Sequence, residues 1–449
     1  MKKFLMVLIA SIFVADAFAQ DESKGAEFNC NLEGFAFGVA GTYGGDTKWD
    51  YQHIRLRPAF SLGNENIKGV VRFEIDYDYG DPNVPAKNGS GGNPYAAAVN
   101  LAYLELTDPF NLGLTFTTGI NEYAYPLITD NEFDFTGLTC DFGMGSASLI
   151  YVKLEEGLFS KNPADNIDKN QDLQVYILDV TIKAGDIEVR PALFFANAGK
   201  GWAIDGRDFD DINGNDDGNG FVTRDLKVYM GALNATADMS MFEFEVTAAY
   251  LKMKKKVDEY TTGTSGGPYG TLYDVAKFNQ SGYAFDINVN IKPNTDIEIG
   301  LFGTYASGSS GGKKIAFLPT VDDILGDAPV GKLLLLQSAG NQENGGLEMG
   351  EIGIDGGRLS EYGNITFGLS AKYTLWDKLT LTAQYGYMIS AKKNAQGNKN
   401  IGQEVDAIIS YEVAPKTDLL LECGYVIKGD DGFLVDDARQ ILWGLTTSI

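Results

Sequence analysis

From Phe35 to the C-terminal residue the chain alternates apolar and polar residues in short runs. In NITFGLSAKYTL, Ile365, Phe367, Leu369, Ala371, Tyr373 and Leu375 share one parity, and Thr366, Gly368, Ser370 and Lys372 share the other. Tyr283, Phe285, Ile287, Val289 and Ile291 alternate in the same way with Asp286, Asn288, Asn290 and Lys292. Val71, Phe73, Ile75 and Tyr77 alternate with Arg72, Glu74 and Asp76. Successive side chains of a strand point to opposite faces, so each run predicts a strand with one apolar and one polar face. Such runs fall at 35–43, 51–62, 67–79, 95–107, 111–121, 132–142, 145–155, 172–183, 186–197, 224–236, 241–252, 282–292, 295–306, 362–376, 378–390, 400–413, 417–428 and 438–449. Each is about ten residues or slightly more, the length a tilted strand needs to cross a bilayer. Charges confined to one parity are costly against lipid and cheap in a wet lumen.

The connections sharpen this picture. Every second one is a few residues long, among them GNEN after Leu62, DPF after Thr107, WD after Leu375 and APK after Val413. The others are longer, at 80–94, 156–171, 198–223, 253–281 and 307–361. Short turns on one rim and long loops on the other predict an all-β fold, a transmembrane antiparallel β-barrel of about eighteen strands. A propeller would repeat in four-strand blades, and a Greek-key sandwich has no reason to alternate its connections. An even strand count places both chain ends on the short-turn, periplasmic rim.

The first residues, MKKFLMVLIASIFVADAFAQ, combine Lys2 and Lys3, an apolar stretch from Phe4 to Val14 and the small-x-small site Ala17-Phe18-Ala19. This reads as an export signal over 1–19, followed by one barrel domain over 20–449. The expected location is a bacterial outer membrane, with surrounding lipid and lipopolysaccharide and the barrel-insertion machinery as partners. Ile449 lies on the lipid-facing parity with Trp443, so truncating Leu442 to Ile449 should strand the protein in the periplasm. A net charge of -25 argues against nucleic acid. Cys30, Cys140 and Cys423 are an odd number without CxxC spacing, and His53 is the one histidine, which disfavours a transition-metal site.

Candidate chemistry lies first on the polar parity. Arg55, Arg57, Arg72, Glu74, Asp76, Arg190, Glu243, Glu245, Lys372, Glu404, Asp406 and Glu422 are expected to line the pore, either setting which solutes pass or simply pairing to stiffen the wall. Their mixed signs, with acids in excess, give no ground for anion selectivity. Second, Asp211, Asn213, Asn215, Asp217 and Asn219 recur among glycines, with Asp225 following; they supply oxygen ligands for Ca2+, or else form a solvated loop of Asx-turns. The spacing departs from an EF-hand, whose twelfth position would here be Arg224. Third, Ile315–Leu318 and Leu333–Leu336 are too apolar for a free surface loop, so 307–361 either folds into the barrel mouth or caps it outside. No catalytic set is visible: there is no GxSxG, HExxH or P-loop. The competing reading of the whole chain is a structural or adhesive barrel closed by its loops, with a calcium-ordered acidic surface loop.

Several stretches resemble the alginate-export family of outer-membrane porins: YQHIRLRPAFSLG with GVVRFEIDYDYGD, then AVNLAYLELTD, LGLTFTTGINEYAYP and NIGQEVDAIISYEVAPKTDLLLECGYVIKGDD. The resemblance implies a monomeric eighteen-stranded channel that lets small hydrophilic solutes diffuse down a gradient. It matches Arg55, Arg57, Arg72, Glu74, Glu404 and Asp406 to lumen positions of that family. The family's glycine-arginine-glutamine run reads Gly119-Ile120-Asn121 here, so the arginine-rich lumen that a polyuronate requires is not evident.

Overall fold

Alternation of faces and tight Asx turns close the chain into a cylinder. The computed structural model describes residues 27–43, 47–80, 95–109, 111–153, 173–198, 222–258, 276–309, 314, 317–318, 325, 332–336, 362–394, 396–430 and 437–448. Its strands are β1 (Glu27–Tyr43), β2 (Thr47–Gly63), β3 (Ile67–Gly80), β4 (Tyr95–Thr107), β5 (Leu114–Tyr125), β6 (Thr129–Asp141), β7 (Gly145–Lys153), β8 (Leu173–Ala184) and β9 (Ile187–Ala198). They continue with β10 (Val222–Met239), β11 (Phe242–Asp258), β12 (Ala276–Asn294), β13 (Ile297–Ser307), β14 (Gly363–Leu375), β15 (Leu379–Ser390), β16 (Asn400–Ala414), β17 (Thr417–Lys428) and β18 (Ala438–Ser448). All eighteen lie in one sheet, each pairs antiparallel with its sequence neighbours, and β18 pairs with β1. The sheet therefore has no overall edge.

The short turns follow from local chemistry. Asn64 Oδ1 accepts the Asn66 and Ile67 N–H groups at 2.9 and 3.1 Å, and Asn294 Oδ1 accepts those of Asp296 and Ile297 at 2.9 Å each. These Asx-turns reverse the chain in two or three residues. Between β14 and β15, Trp376 and Asp377 both take positive φ (55° and 57°), the tight hairpin form whose twist matches the flanking strands. Glu27 pairs with Gly63 at one end of β2, and the Ser448 N–H bonds the Lys416 carbonyl in the β16–β17 turn. Both ends of the described chain thus sit at the short-turn rim.

Parity sorts the side chains as the alternation requires. Leu193, Leu301, Phe367 and Leu369 are each more than half exposed on the outer wall. On the inner face, Arg72, Asp76, Asn234, Thr247 and Gln384 are buried. A continuous apolar outer belt around a polar interior suits lipid outside and water inside. The interior is not polar throughout. Val175, Ile177, Phe194, Val228, Met230, Leu251 and Met253 form an apolar cluster on the inner wall of β8–β11. A second cluster joins Phe37 and Val39 of β1 to Leu442 of β18, across the seam where the barrel closes.

Candidate functional site

One hairpin leaves the wall. β5 pairs with β4 only as far as Ile120, opposite Ala102, and β6 pairs with β7 only below Phe135, opposite Val152. Beyond these points Asn121–Asp134 pairs with itself, closing at Tyr125 opposite Thr129. The reason lies in its parity. On the face that would meet lipid, Ile120 and Ala124 stand with Glu122, Asp130, Glu132 and Asp134. Carboxylates are costly there. The other face carries Tyr123, Tyr125 and Phe133, which bury against the apolar inner wall of β8–β10. The hinge is Gly119, at φ +126°, where a Cβ would stand 2.2 Å from the Ala102 carbonyl oxygen. Only glycine fits that conformation without displacing backbone.

Polar contacts fix the docked hairpin. The Tyr123 hydroxyl donates to Asp179 Oδ2 at 3.0 Å, and the Tyr125 hydroxyl donates to the Arg190 carbonyl at 2.5 Å. The Arg190 guanidinium holds Asp179 at 2.6 Å, donates to the Ala124 carbonyl at 3.0 Å and stacks 4.7 Å from the Tyr125 ring centroid. Asp179 is buried and Arg190 half-buried, and the hydrogen bonds from the guanidinium Nε and Nη2 make the pair tolerable inside the barrel.

The hairpin's acidic face turns toward β2 and β3, where arginines form a ladder. Arg72 donates to Glu132 at 2.9 Å and to Asn100 at 3.1 Å, and lies 3.6 Å from Glu122. Arg57 pairs with Glu74 at 2.8 Å, and Arg55 pairs with Asp76 at 2.6 Å. His53 stands 3.5 Å from Asp76, with the Phe35 and Phe37 rings stacked on its imidazole at 5.6 and 5.2 Å. The arrangement sets the hairpin's carboxylates against a wall of mixed charge on β2 and β3, in which each ladder arginine already holds a carboxylate.

The loop between β13 and β14 narrows the interior further. Phe317, Leu318 and Leu325 join the β8–β11 cluster, and the Thr129 hydroxyl of the hairpin donates to the Leu325 carbonyl at 3.1 Å. Leu333, Leu335 and Leu336 join the seam cluster. The Leu335 and Leu336 N–H groups donate to the two oxygens of Glu404 at 2.6 Å each. Gln384 bridges the Lys332 carbonyl, at 2.6 Å, and Asp406, at 2.7 Å. Gly386 makes room for Leu333, whose side chain lies 2.6 Å from where a Cβ would be. Of the two alternatives for this loop, its described apolar residues take the infolded one. Its start is tied by Lys392, which donates to the Gly308 carbonyl at 2.6 Å and to that of Ser309. Burial, and secondarily the charge of Lys314, pushes the Lys392 ammonium below its usual pKa.

The residues singled out in the sequence separate into groups. Arg55, Arg57, Arg72, Glu74 and Asp76 come together in the ladder. Arg190 faces inward but serves the hairpin. Glu243 pairs with Lys292 at 2.8 Å, Glu245 accepts from Asn234 at 3.0 Å, and Lys372 stands opposite Glu298, all nearer the short-turn rim. Glu404 and Asp406 require a correction: they point inward but are 0% and 1% exposed beneath the infolded loop, so they hold that loop instead of meeting solute. Glu422 is likewise buried. Asp211, Asn213, Asn215, Asp217 and Asn219 lie outside the described residues, as does the expected signal segment, and Asp225 falls in β10. Glu122, Glu132, Tyr123, Tyr125 and Asp179 were not singled out from sequence. The inverted parity across 120–134 is the signal that would have found the hairpin.

No known family pattern and no curated protein matches the chain by sequence. Solved structures do. OccAB1 of Acinetobacter baumannii superposes with a TM-score of 0.56 at 11% identity, covering 94% of this chain and 96% of that one. OccAB4 of the same organism gives 0.56 at 12% identity, covering 94% and 98%. OccK8 (OprE) of Pseudomonas aeruginosa gives 0.55 at 12% identity over the same shares. At such identities the likeness is one of fold: a closed antiparallel barrel of eighteen strands.

Proposed function

We propose that the chain is a passive channel of a bacterial outer membrane, carrying small hydrophilic solutes or ions. The observation that carries this reading is the Asn121–Asp134 hairpin, folded inside an apolar-walled barrel with its carboxylates opposite the Arg55–Arg57–Arg72 ladder. A structural barrel needs no such charged passage. The solved neighbours, outer-membrane porins of the same strand number, support the reading by fold.

The charges refine the solute class. Arg55, Arg57 and Arg72 face Glu74, Asp76, Glu122 and Glu132, and Asp130 and Asp134 are exposed on the same hairpin face. The passage is therefore net acidic and favours cations or neutral polar solutes. A polyuronate, which the resemblance to alginate-export porins suggests, would need arginines free to bind its carboxylates. The ladder arginines are already occupied.

Reconstitution in a planar bilayer tests the channel: discrete conductance steps are expected, with a reversal potential in a salt gradient of the cation-preferring sign. A folded, inserted and silent protein would favour the structural barrel instead. Replacing 315–340 by a short linker separates the two, since a barrel plugged by this loop should open only then.

A further inference from the structure

Acids outnumber bases 61 to 36 in this chain, yet one patch of the outer wall is basic. It lies at the long-loop end of β10–β12. Lys227 of β10 stands directly opposite Lys254 of β11, and both are exposed. Lys252 stands between Tyr229 on one side and Ser281 on the other, and the register continues with Lys256 opposite Lys277. Like charges directly opposite across two strands destabilise a sheet. Among the described residues, Lys227, Lys252 and Lys254 belong to none of the ion pairs that hold the other charged strands together.

The level of the patch identifies its counter-charge. Just below it runs a belt of outward rings. Tyr151 touches Tyr176 at 5.2 Å between centroids, Tyr176 touches Phe195 at 6.2 Å, Phe195 touches Tyr229 at 5.1 Å, and Tyr283 touches Tyr305 at 5.4 Å. Tyr250, 52% exposed, stands opposite Tyr283 on one side and Gly231 on the other, diagonal to Tyr229. Such belts mark the boundary between acyl chains and headgroups. Lys227 is two residues beyond Tyr229, about 7 Å at the usual rise per residue. Lys254 Nζ lies 5.8 Å from the Tyr229 ring centroid. The ammonium groups therefore sit at headgroup height, on neighbouring strands about 5 Å apart.

We propose that this outward face of β10–β12 binds the phosphate groups of an outer-leaflet lipid, a bisphosphorylated glycolipid whose phosphates neutralise the opposed lysines. The proposal rests on the outer-membrane reading above. It assigns Lys227, Lys252 and Lys254 as the ligating residues and the Tyr229–Tyr250–Tyr283 rings as the platform for the lipid body.

The test compares the refolded wild type with the combined variant K227Q/K252Q/K254Q, each verified as a closed barrel by its shifted mobility in unheated electrophoresis. Both are incubated with bisphosphorylated lipid A, with dephosphorylated lipid A or with phosphatidylglycerol, and the retained lipid is read by native mass spectrometry. The wild type should retain bisphosphorylated lipid A about tenfold better than the variant, and neither of the other lipids should distinguish the two. Equal retention of bisphosphorylated lipid A by the two proteins, or wild-type retention of phosphatidylglycerol as strong as that of bisphosphorylated lipid A, overturns the site. Conductance is recorded on the same preparations. A conducting pair that does not differ in lipid retention overturns the lipid site alone, and a silent pair that does differ overturns the channel alone.

Discussion

The Leu336 N–H points at one carboxylate oxygen of Glu404 from 2.6 Å, while the other oxygen takes the Leu335 N–H at the same distance. One buried side chain thus satisfies two consecutive backbone donors of a loop that crosses the barrel interior. Glu404→Gln keeps the volume but offers one acceptor oxygen where there were two. It should weaken loop docking by about 1–3 kcal/mol, the usual cost of a stranded buried donor. In single-channel records the variant should show brief excursions to a larger conductance; a trace as quiet as the wild type's would mean that the leucines alone hold the loop.

Arg72 is the rung that touches the hairpin's acidic face. Removing its charge in Arg72→Gln leaves Glu122 and Glu132 without their guanidinium partner. The cation-to-anion permeability ratio should rise by about twofold or more, as expected when a charge leaves a narrow lining. Glu132→Gln should move the ratio the other way. Reversal potentials in a tenfold salt gradient give both values, and a shift of the same sign in both variants would rule out this assignment.

Gly119 lets the hairpin leave the wall. Gly119→Val places a branched side chain at positive φ and against the Ala102 carbonyl, 2.2 Å from the new Cβ. A cost of about 1–3 kcal/mol is expected from backbone strain of this kind. Urea unfolding of the closed form, followed by electrophoretic mobility, measures it. Gly231→Ala is the control, because nothing lies nearer than 3.7 Å to a Cβ there.

Asp179 and Arg190 together anchor the aromatic face of the hairpin. Asp179→Asn leaves a guanidinium inside the barrel without its counter-charge, a change that costs about 3–5 kcal/mol for deeply buried pairs and less here, since Arg190 keeps some solvent contact. The variant should unfold at lower urea, whereas the double change Asp179→Asn with Arg190→Gln should recover part of the loss. A double variant weaker than the sum of the two singles would exclude the pairing.

The wall was legible because alternation is a local property. The expected run at 417–428 coincides with β17, and that at 95–107 with β4. The strand ends were less legible. β11 and β12 extend well past their expected bounds on the long-loop side, because pairing between neighbours carries a strand beyond the point where its pattern fades. The site was legible only in part. Arg55 and Arg72 announce an inward face by parity, but that Glu404 lies under Leu335 and Leu336 depends on contacts some seventy positions apart in sequence. No periodicity encodes which inward carboxylate a loop will cover.

The apolar cluster across the β18–β1 seam has a consequence for assembly. Leu333, Leu335 and Leu336 share one apolar cluster with Phe37 and Val39 of β1, Leu442 of β18, and Met388, Ile401 and Val426 of β15–β17. β1 joins β18 only when the cylinder shuts, so an open sheet offers the loop a berth that lacks its β1 side. The loop is therefore fully enclosed only once the wall is sealed. Until then the apolar residues of β1 and β18 lie uncovered at the two edges that must find each other, and covering them is one of the gains that favour the closed wall.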